Sequence, residues 1–269
     1  MTSLPISTSG RSAIEVARRC AREAQALMRQ ATGSVAVSMV KGRGNVLTEI
    51  DLAVERAVTA RLRSEYPSHA VLSEETAAET RSNGWMWVFD PIDGTKNFSR
   101  GIPHFCFSIA LCHRDEPLLG LTLQPLLDEE FLAVKGEGCH LNGTPVIVSD
   151  RTTVLNSVVA IDLGYDDIRA GHQLDLARHL WPGMQGLRVP GSAALEFAYL
   201  AAGRWDLFIH SDLQPWDIAA GLVLVREAGG VVTERGGEQA TLFSRAIVAG
   251  TPAVHADLLA LAAGRPWTA

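Results

Sequence analysis

Apolar positions recur at helical spacing from the start of the chain. Ile14, Ala17, Cys20, Ala21, Ala24, Leu27 and Met28 fall on one helix face, because side chains three and four apart lie above one another. Ser12 and Glu15 form a capping-box pair ahead of them. Gly42 and Gly44 interrupt the chain after Lys41. Thr48 with Asp51 is a second capping box, and Ala53, Val54, Ala57, Val58 and Leu62 give the next helix its apolar face. Tyr66-Pro67 ends it, since a residue before proline is pushed out of the helical region. A short strand, Ala70 to Leu72, leads into Ser73-Glu74-Glu75. Residues 85–89 form an apolar strand that delivers Asp90. Residues 104–112, 118–123 and 130–135 predict an antiparallel meander, and Asn142-Gly143 predicts a hairpin turn.

The pattern changes in the second half. A helix is expected at 168–180 and a strand at 187–189. Gly191-Ser192 opens an apolar helix to Ala202, which Gly203 stops. Trp205 to His210 is a strand. Pro215 starts a long helix that ends at Gly229-Gly230, the favoured placement of both residues. A strand at 246–249 and a helix from Pro252 follow. Helix and strand alternate here, against a meander before, which predicts a layered α/β (α+β) structure of two packed halves. No repeat or low-complexity linker separates residues 1–148 from 149–269, so the chain reads as a single catalytic unit of 269 residues.

Composition narrows the function. With 47% hydrophobic residues the chain is expected to fold rather than stay disordered. The formal net charge is −6 and no basic run is present, which argues against nucleic acid as a partner. Cys20, Cys106, Cys112 and Cys139 form no C-x-x-C pair, so zinc and redox readings are weak. Their apolar neighbours predict buried thiols in a reducing compartment. Without a long apolar span or a leader pattern, a soluble cytoplasmic enzyme away from membranes is expected.

Residues 87–98, Trp-Val-Phe-Asp-Pro-Ile-Asp-Gly-Thr-Lys-Asn-Phe, carry the chemistry. Asp90 and Asp93 lie beside a Gly-Thr turn. Two close carboxylates repel unless one is protonated or a cation lies between them. A divalent metal resolves the conflict and gains oxygen ligands. Gly94 permits a sharp turn, and Thr95 offers a hydroxyl and a backbone N–H. Such a hard-cation site with an anion cradle beside it suits phosphate chemistry. Taken alone, the same residues could simply cap a turn after a strand.

Four segments together resemble the inositol monophosphatase family of magnesium-dependent, lithium-sensitive phosphatases. They are Thr48-Glu49-Ile50-Asp51, Ser73-Glu74-Glu75, Asp90 through Phe98, and Pro215-Trp216-Asp217 running to Gly229-Gly230. Leu141-Asn142-Gly143 and Gly191-Ser192-Ala193-Ala194 add support. The resemblance implies a five-layered αβαβα sandwich of the inositol monophosphatase and fructose-1,6-bisphosphatase type. It implies two or three Mg²⁺ ions, with Glu74, Asp90 and the Ile92 carbonyl at one, and Asp90, Asp93 and Asp217 at another. Thr95 with Asp51 would activate water, Lys41 would stand near the metals, and Gly94, Thr95 and Ser192 would bind substrate. A homodimer is also implied. Several of these residues have local readings as well. Glu74 alone reads as an exposed loop acid, Asp217 as a helix N-terminal carboxylate, Asp51 as a capping-box member and Lys41 as a solvated cation. His210 falls where inositol-specific members carry a glutamate that binds a sugar hydroxyl, so it is expected to tune substrate choice.

The expected activity is Mg²⁺-dependent hydrolysis of a small phosphate monoester by metal-activated water, with inositol 1-phosphate or a related polyol or sugar phosphate as substrate. Histidinol-phosphate, fructose-1,6-bisphosphate and 3′-phosphoadenosine phosphatases of the same superfamily are alternatives. A non-catalytic phosphate-ligand sensor is a remote one.

Overall fold

A seven-stranded and a five-stranded sheet frame the protein in a computed structural model that describes residues 3–31, 37–40, 46–75, 84–265 and 267. The N-terminal helix α1 (Ala13–Ala31) starts where Ser12 and Glu15 bond reciprocally, as their capping-box spacing predicts. A small antiparallel ribbon follows, β1 (Val37–Val40) with β2 (Val46–Thr48). Helix α2 (Glu49–Glu65) is capped by Thr48 and Asp51 in the same reciprocal way. The large sheet holds β3 (Ala70–Ser73) and β4 (Trp85–Asp93). After the one-turn α3 (Thr95–Ser99) it continues with β5 (Cys106–His113), β6 (Glu116–Gln124), β7 (Glu129–Val134), β8 (Gly138–Leu141) and β9 (Thr144–Val146). Its strands lie in chain order, with only the β3–β4 pair parallel. Asn142 and Gly143 have φ of 50° and 80°, the left-handed pair that a two-residue hairpin needs.

The second half builds the smaller sheet from β10 (Val158–Asp162), helix α4 (Asp167–Leu180), β11 (Gly186–Arg188) and helix α5 (Ala193–Ala201). Strand β12 (Leu207–His210), helix α6 (Pro215–Glu227), β13 (Val231–Glu234), β14 (Ile247–Gly250) and helix α7 (Pro252–Ala262) complete it. Its order is β11-β10-β12-β14-β13, with β10 parallel to both neighbours. The sequence pattern predicts no strand at 158–162, where the structure has β10. Val158-Val159-Ala160-Ile161 is an unbroken apolar run without alternation, the form taken by a parallel strand covered on both faces. β13 was likewise not expected.

Burial orders the layers. Helices α1 and α2 set Val16, Cys20, Val54 and Val58 against Trp87, Phe89 and Ile109 on one face of the large sheet. The opposite face meets α6 through Met86, Val88, Ala110, Ala219 and Ala220. Helices α5 and α6 also cover Ala160, Phe208 and Ala249 of the small sheet. The outer face of that sheet buries Ile161, Ile209 and Val248 against Leu176 of α4 and Val254 and Leu258 of α7. The result is the five-layered αβαβα sandwich.

The middle layer is held close by glycine. A Cβ on Gly120 of β6 would stand 2.6 Å from the Ala220 carbonyl oxygen and 2.9 Å from the Ala220 Cα in α6. Both atoms are backbone and cannot rotate away. Gly120→Ala is therefore expected to destabilise the fold by about 1–3 kcal/mol, the usual cost of overpacking. An unchanged denaturant midpoint would show that the helix can back off freely.

Candidate active site

A strand residue and the one three positions on point to opposite faces, because the strand period is two. Asp90 and Asp93 escape this rule. Asp90 pairs with Ser108 and Asp93 with Cys106, so three steps on β4 match two on β5. The extra residue is a β-bulge. It coincides with Pro91, which has no N–H to give the ladder, and it turns both carboxylates to one side. The strand thus runs through to Asp93 instead of stopping at residue 89.

Asp217 completes the group from the first turn of α6. One oxygen from each of Asp90, Asp93 and Asp217 lies within 4.8 Å of the others. Each carboxylate also has a local anchor. Asp90 accepts from the Ile92 N–H at 2.9 Å. Asp93 accepts from Ser192 Oγ at 2.5 Å and from the Ala194 N–H at 2.9 Å. Asp217 accepts from the Gln214 N–H at 2.7 Å, so its helix-capping reading holds alongside its place in the cluster. Glu74, at the end of β3, lines the same cavity.

The crowding is costly. Burial pushes Asp90 well above the usual carboxylate range, and the charges of Glu74, Asp93 and Asp217 push it further. Asp217 is raised by burial and then by Asp93. Asp93 is raised to about 6 by burial, against the hydrogen bonds from Ser192 and Ala194, which favour its charge. A set of buried oxygen donors that repel one another, with no histidine or cysteine among them, fits a hard divalent cation.

Behind the cluster, Thr95 Oγ1 lies 2.8 Å from the Ile92 carbonyl oxygen and 3.2 Å from Asp51 Oδ1. Asp51 accepts from the Thr48 N–H through its other oxygen at 2.8 Å and is raised to about 6, chiefly by burial. It is therefore both the capping residue of α2 and a partner of Thr95. Gly94 has φ of 89°, and a Cβ there would stand 3.1 Å from the His104 carbonyl oxygen and from Ser192 Cβ. No other residue fits that turn without displacing the loop before α5.

These groups open into a cavity of about 520 Å³ lined by Asp90, Asp93, Gly94, Thr95, His210 and Asp217, among others. One expectation changes. Ser192 is buried, its hydroxyl is committed to Asp93, and the lining passes to its neighbours Gly191 and Ala193. Ser192 therefore supports a carboxylate from behind instead of facing substrate. Lys41 lies outside the described residues. His210 does line the cavity, at the end of β12. Lys96 lines it too, and so do Asp162, Gly164 and Tyr165, which the sequence pattern does not mark. The available signal was topological: ligands bind beyond the carboxyl ends of parallel strands, and Asp162 is the last residue of β10. The unbroken apolar run does not mark that strand by alternation, so the chain alone does not display the signal.

A five-layered αβαβα sandwich with an oxygen-only acidic cluster in its cavity defines a phosphoric monoester hydrolase. The chain belongs to the inositol monophosphatase family, whose sequence profile matches residues 10–265. It is 37% identical over 254 residues to Nus factor SuhB of Pseudomonas aeruginosa, covering 91% of this chain and 94% of that protein. It is 37% identical over 233 residues to the inositol monophosphatase of Dictyostelium discoideum, covering 84% and 85%. The crystal structure of the extragenic suppressor protein suhB of Bartonella henselae superposes with a TM-score of 0.87 at 32% identity, covering 93% of this chain and 98% of that one.

Proposed function

We propose that the protein is a Mg²⁺-dependent phosphatase for inositol 1-phosphate or a related polyol or sugar phosphate. The carrying observation is the triad Asp90, Asp93 and Asp217, converging within 4.8 Å on a cavity of about 520 Å³. Glu74, Asp90, the Ile92 carbonyl, Asp93 and Asp217 would hold two or three Mg²⁺ ions, whose charge would neutralise the phosphoryl oxygens, activate water and stabilise the leaving oxygen. The chain's own groups do the rest. Thr95 passes its hydrogen to Asp51 Oδ1, which frees its lone pairs to accept a hydrogen from the attacking water. With its acidity weakened to about 6, Asp51 is a stronger base than an ordinary carboxylate. The N–H groups of Gly94 and Thr95 receive phosphate oxygens at the turn that Gly94 makes possible. Lithium inhibition and a homodimer come with the family resemblance, and a cytoplasmic location is supported by the four buried free thiols.

Phosphate release from inositol 1-phosphate, histidinol phosphate, fructose 1,6-bisphosphate and 3′-phosphoadenosine 5′-phosphate, measured side by side, tests the reading. The highest kcat/KM is expected for the inositol ester, and a clear preference for any of the others would displace it. Thr95→Ala is expected to lower kcat about a hundredfold, the scale of a lost proton-transfer partner, with a much smaller change in KM. A pure KM effect would demote Thr95 to a binding residue.

A further inference from the structure

The carboxyl ends of β10 and β12 carry a second, separately built group of residues. Asp162 and His210 are register partners on these parallel strands, so their side chains leave the same face about 4.8 Å apart. Both line the cavity. The Asp212 N–H donates to His210 Nδ1 at 3.0 Å. Burial keeps this imidazole neutral by lowering its pKa. With Nδ1 occupied as an acceptor, the ring hydrogen sits on Nε2. His210 therefore offers the cavity a donor, the opposite of a carboxylate.

Asp162 supplies the acceptor. Its Oδ1 accepts from the Leu163 N–H at 2.9 Å. Among the described residues, no hydrogen-bond donor or cation is paired with its other oxygen. The nearby Asp212 is neutralised by Arg245. The Lys96 ammonium sits over the Tyr165 ring, 4.6 Å from its centroid.

The frame around the pair is fastened. Buried Gln173 of α4 donates to the Asp162 carbonyl at 3.0 Å and to the Ile209 carbonyl at 2.9 Å. Ser211 Oγ donates to the Leu163 carbonyl at 2.7 Å. Gly164, with φ of 64°, lets the two loops meet where a Cβ would stand 2.8 Å from Asp212 Cβ. Such bracing holds a donor and an acceptor in one geometry before substrate arrives.

We propose that Asp162 and His210 together select the leaving group: an uncharged polyol with a hydroxyl that donates to Asp162 and a hydroxyl oxygen that accepts from His210 Nε2–H. This rests on the phosphatase reading and deepens it. A leaving group with a second phosphate or a carboxylate meets Asp162 and is repelled.

The test uses the full chain with Mg²⁺ and compares glycerol 2-phosphate with phenyl phosphate, which has no hydroxyl to recognise. Asp162→Asn keeps an oxygen for the Leu163 N–H but loses the charged acceptor. It is expected to lower the ratio of kcat/KM, glycerol ester over phenyl ester, about tenfold, the scale of one hydrogen bond to a charged group. It should also raise kcat/KM for fructose 1,6-bisphosphate relative to phenyl phosphate. His210→Phe removes the donor and is expected to lower the glycerol-to-phenyl ratio severalfold. A ratio within about twofold of wild type in either variant would overturn the pairing, since hydrogen bonds of this kind are worth more than that. If the wild-type protein released phosphate from neither ester, the phosphatase reading itself would fall, which is a distinguishable result.

Discussion

Asp90→Asn is expected to lower turnover about a thousandfold while making the metal-free protein more stable. Asp90 is the most crowded carboxylate of the site, facing Glu74, Asp93, Asp217 and Asp51. If the cluster holds the metal as proposed, losing one of its charges removes several kcal/mol of transition-state stabilisation, so kcat should fall about a thousandfold. The amide oxygen can still accept from the Ile92 N–H, so the bulge should survive. Without metal, the substitution removes a buried like-charge conflict. The sign follows from linkage. Asp90 has a folded pKa above its unfolded value, so its ionisation costs stability once the pH exceeds the unfolded pKa of about 3.9. The thermal midpoint of the variant in EDTA should thus exceed that of wild type at neutral pH, and the gap should close in acid. Near-normal kcat at saturating Mg²⁺ would remove Asp90 from the metal site, and an equal or lower midpoint at neutral pH would mean that the crowding is already relieved.

Stripping divalent metal should stop phosphate release completely, and adding Mg²⁺ back should restore it. The same ions should raise the thermal midpoint more at about pH 8 than at about pH 5. Asp93 is raised to about 6, so the metal-free fold loses stability as pH climbs from its unfolded pKa of about 3.9 through that value. Mg²⁺ cancels the repulsion where the carboxylates are charged and must compete with protons where they are not. At a hundredfold excess over its Kd, a bound ion stabilises by about 2.7 kcal/mol. Turnover in chelator, or a Mg²⁺ shift that ignores pH, would mean that the acidic cluster does not hold the ions.

Much of this was legible along the chain. The two capping boxes, at Ser12–Glu15 and Thr48–Asp51, are reciprocal bonds between residues three apart, so sequence spacing suffices to find them. Helix α6 follows from Pro215 and Gly229, and the meander from its spacing and turns. The failures have physical causes too. Strand β10 carries no alternation because both of its faces are covered, and with it went Asp162. The resemblance assigns Ser192 to substrate, and only its burial against Asp93 shows that it holds a carboxylate.

What the sequence by itself determined is local: helix faces, caps, turns, and a strand ending in two aspartates beside Gly94. These depend on backbone periods and on contacts a few residues apart, which a pattern of side chains encodes directly. The tertiary structure alone decided that Asp90 and Asp93 share a face, because an extra residue on β4 is defined only against its partner β5. It also decided that Asp217 joins them, and that Asp162 stands beside His210, because pairing β10 with β12 sets a register across dozens of residues. No local spacing specifies such a register. It is chosen by which apolar faces can be buried at once, with α5 and α6 packed between the two sheets.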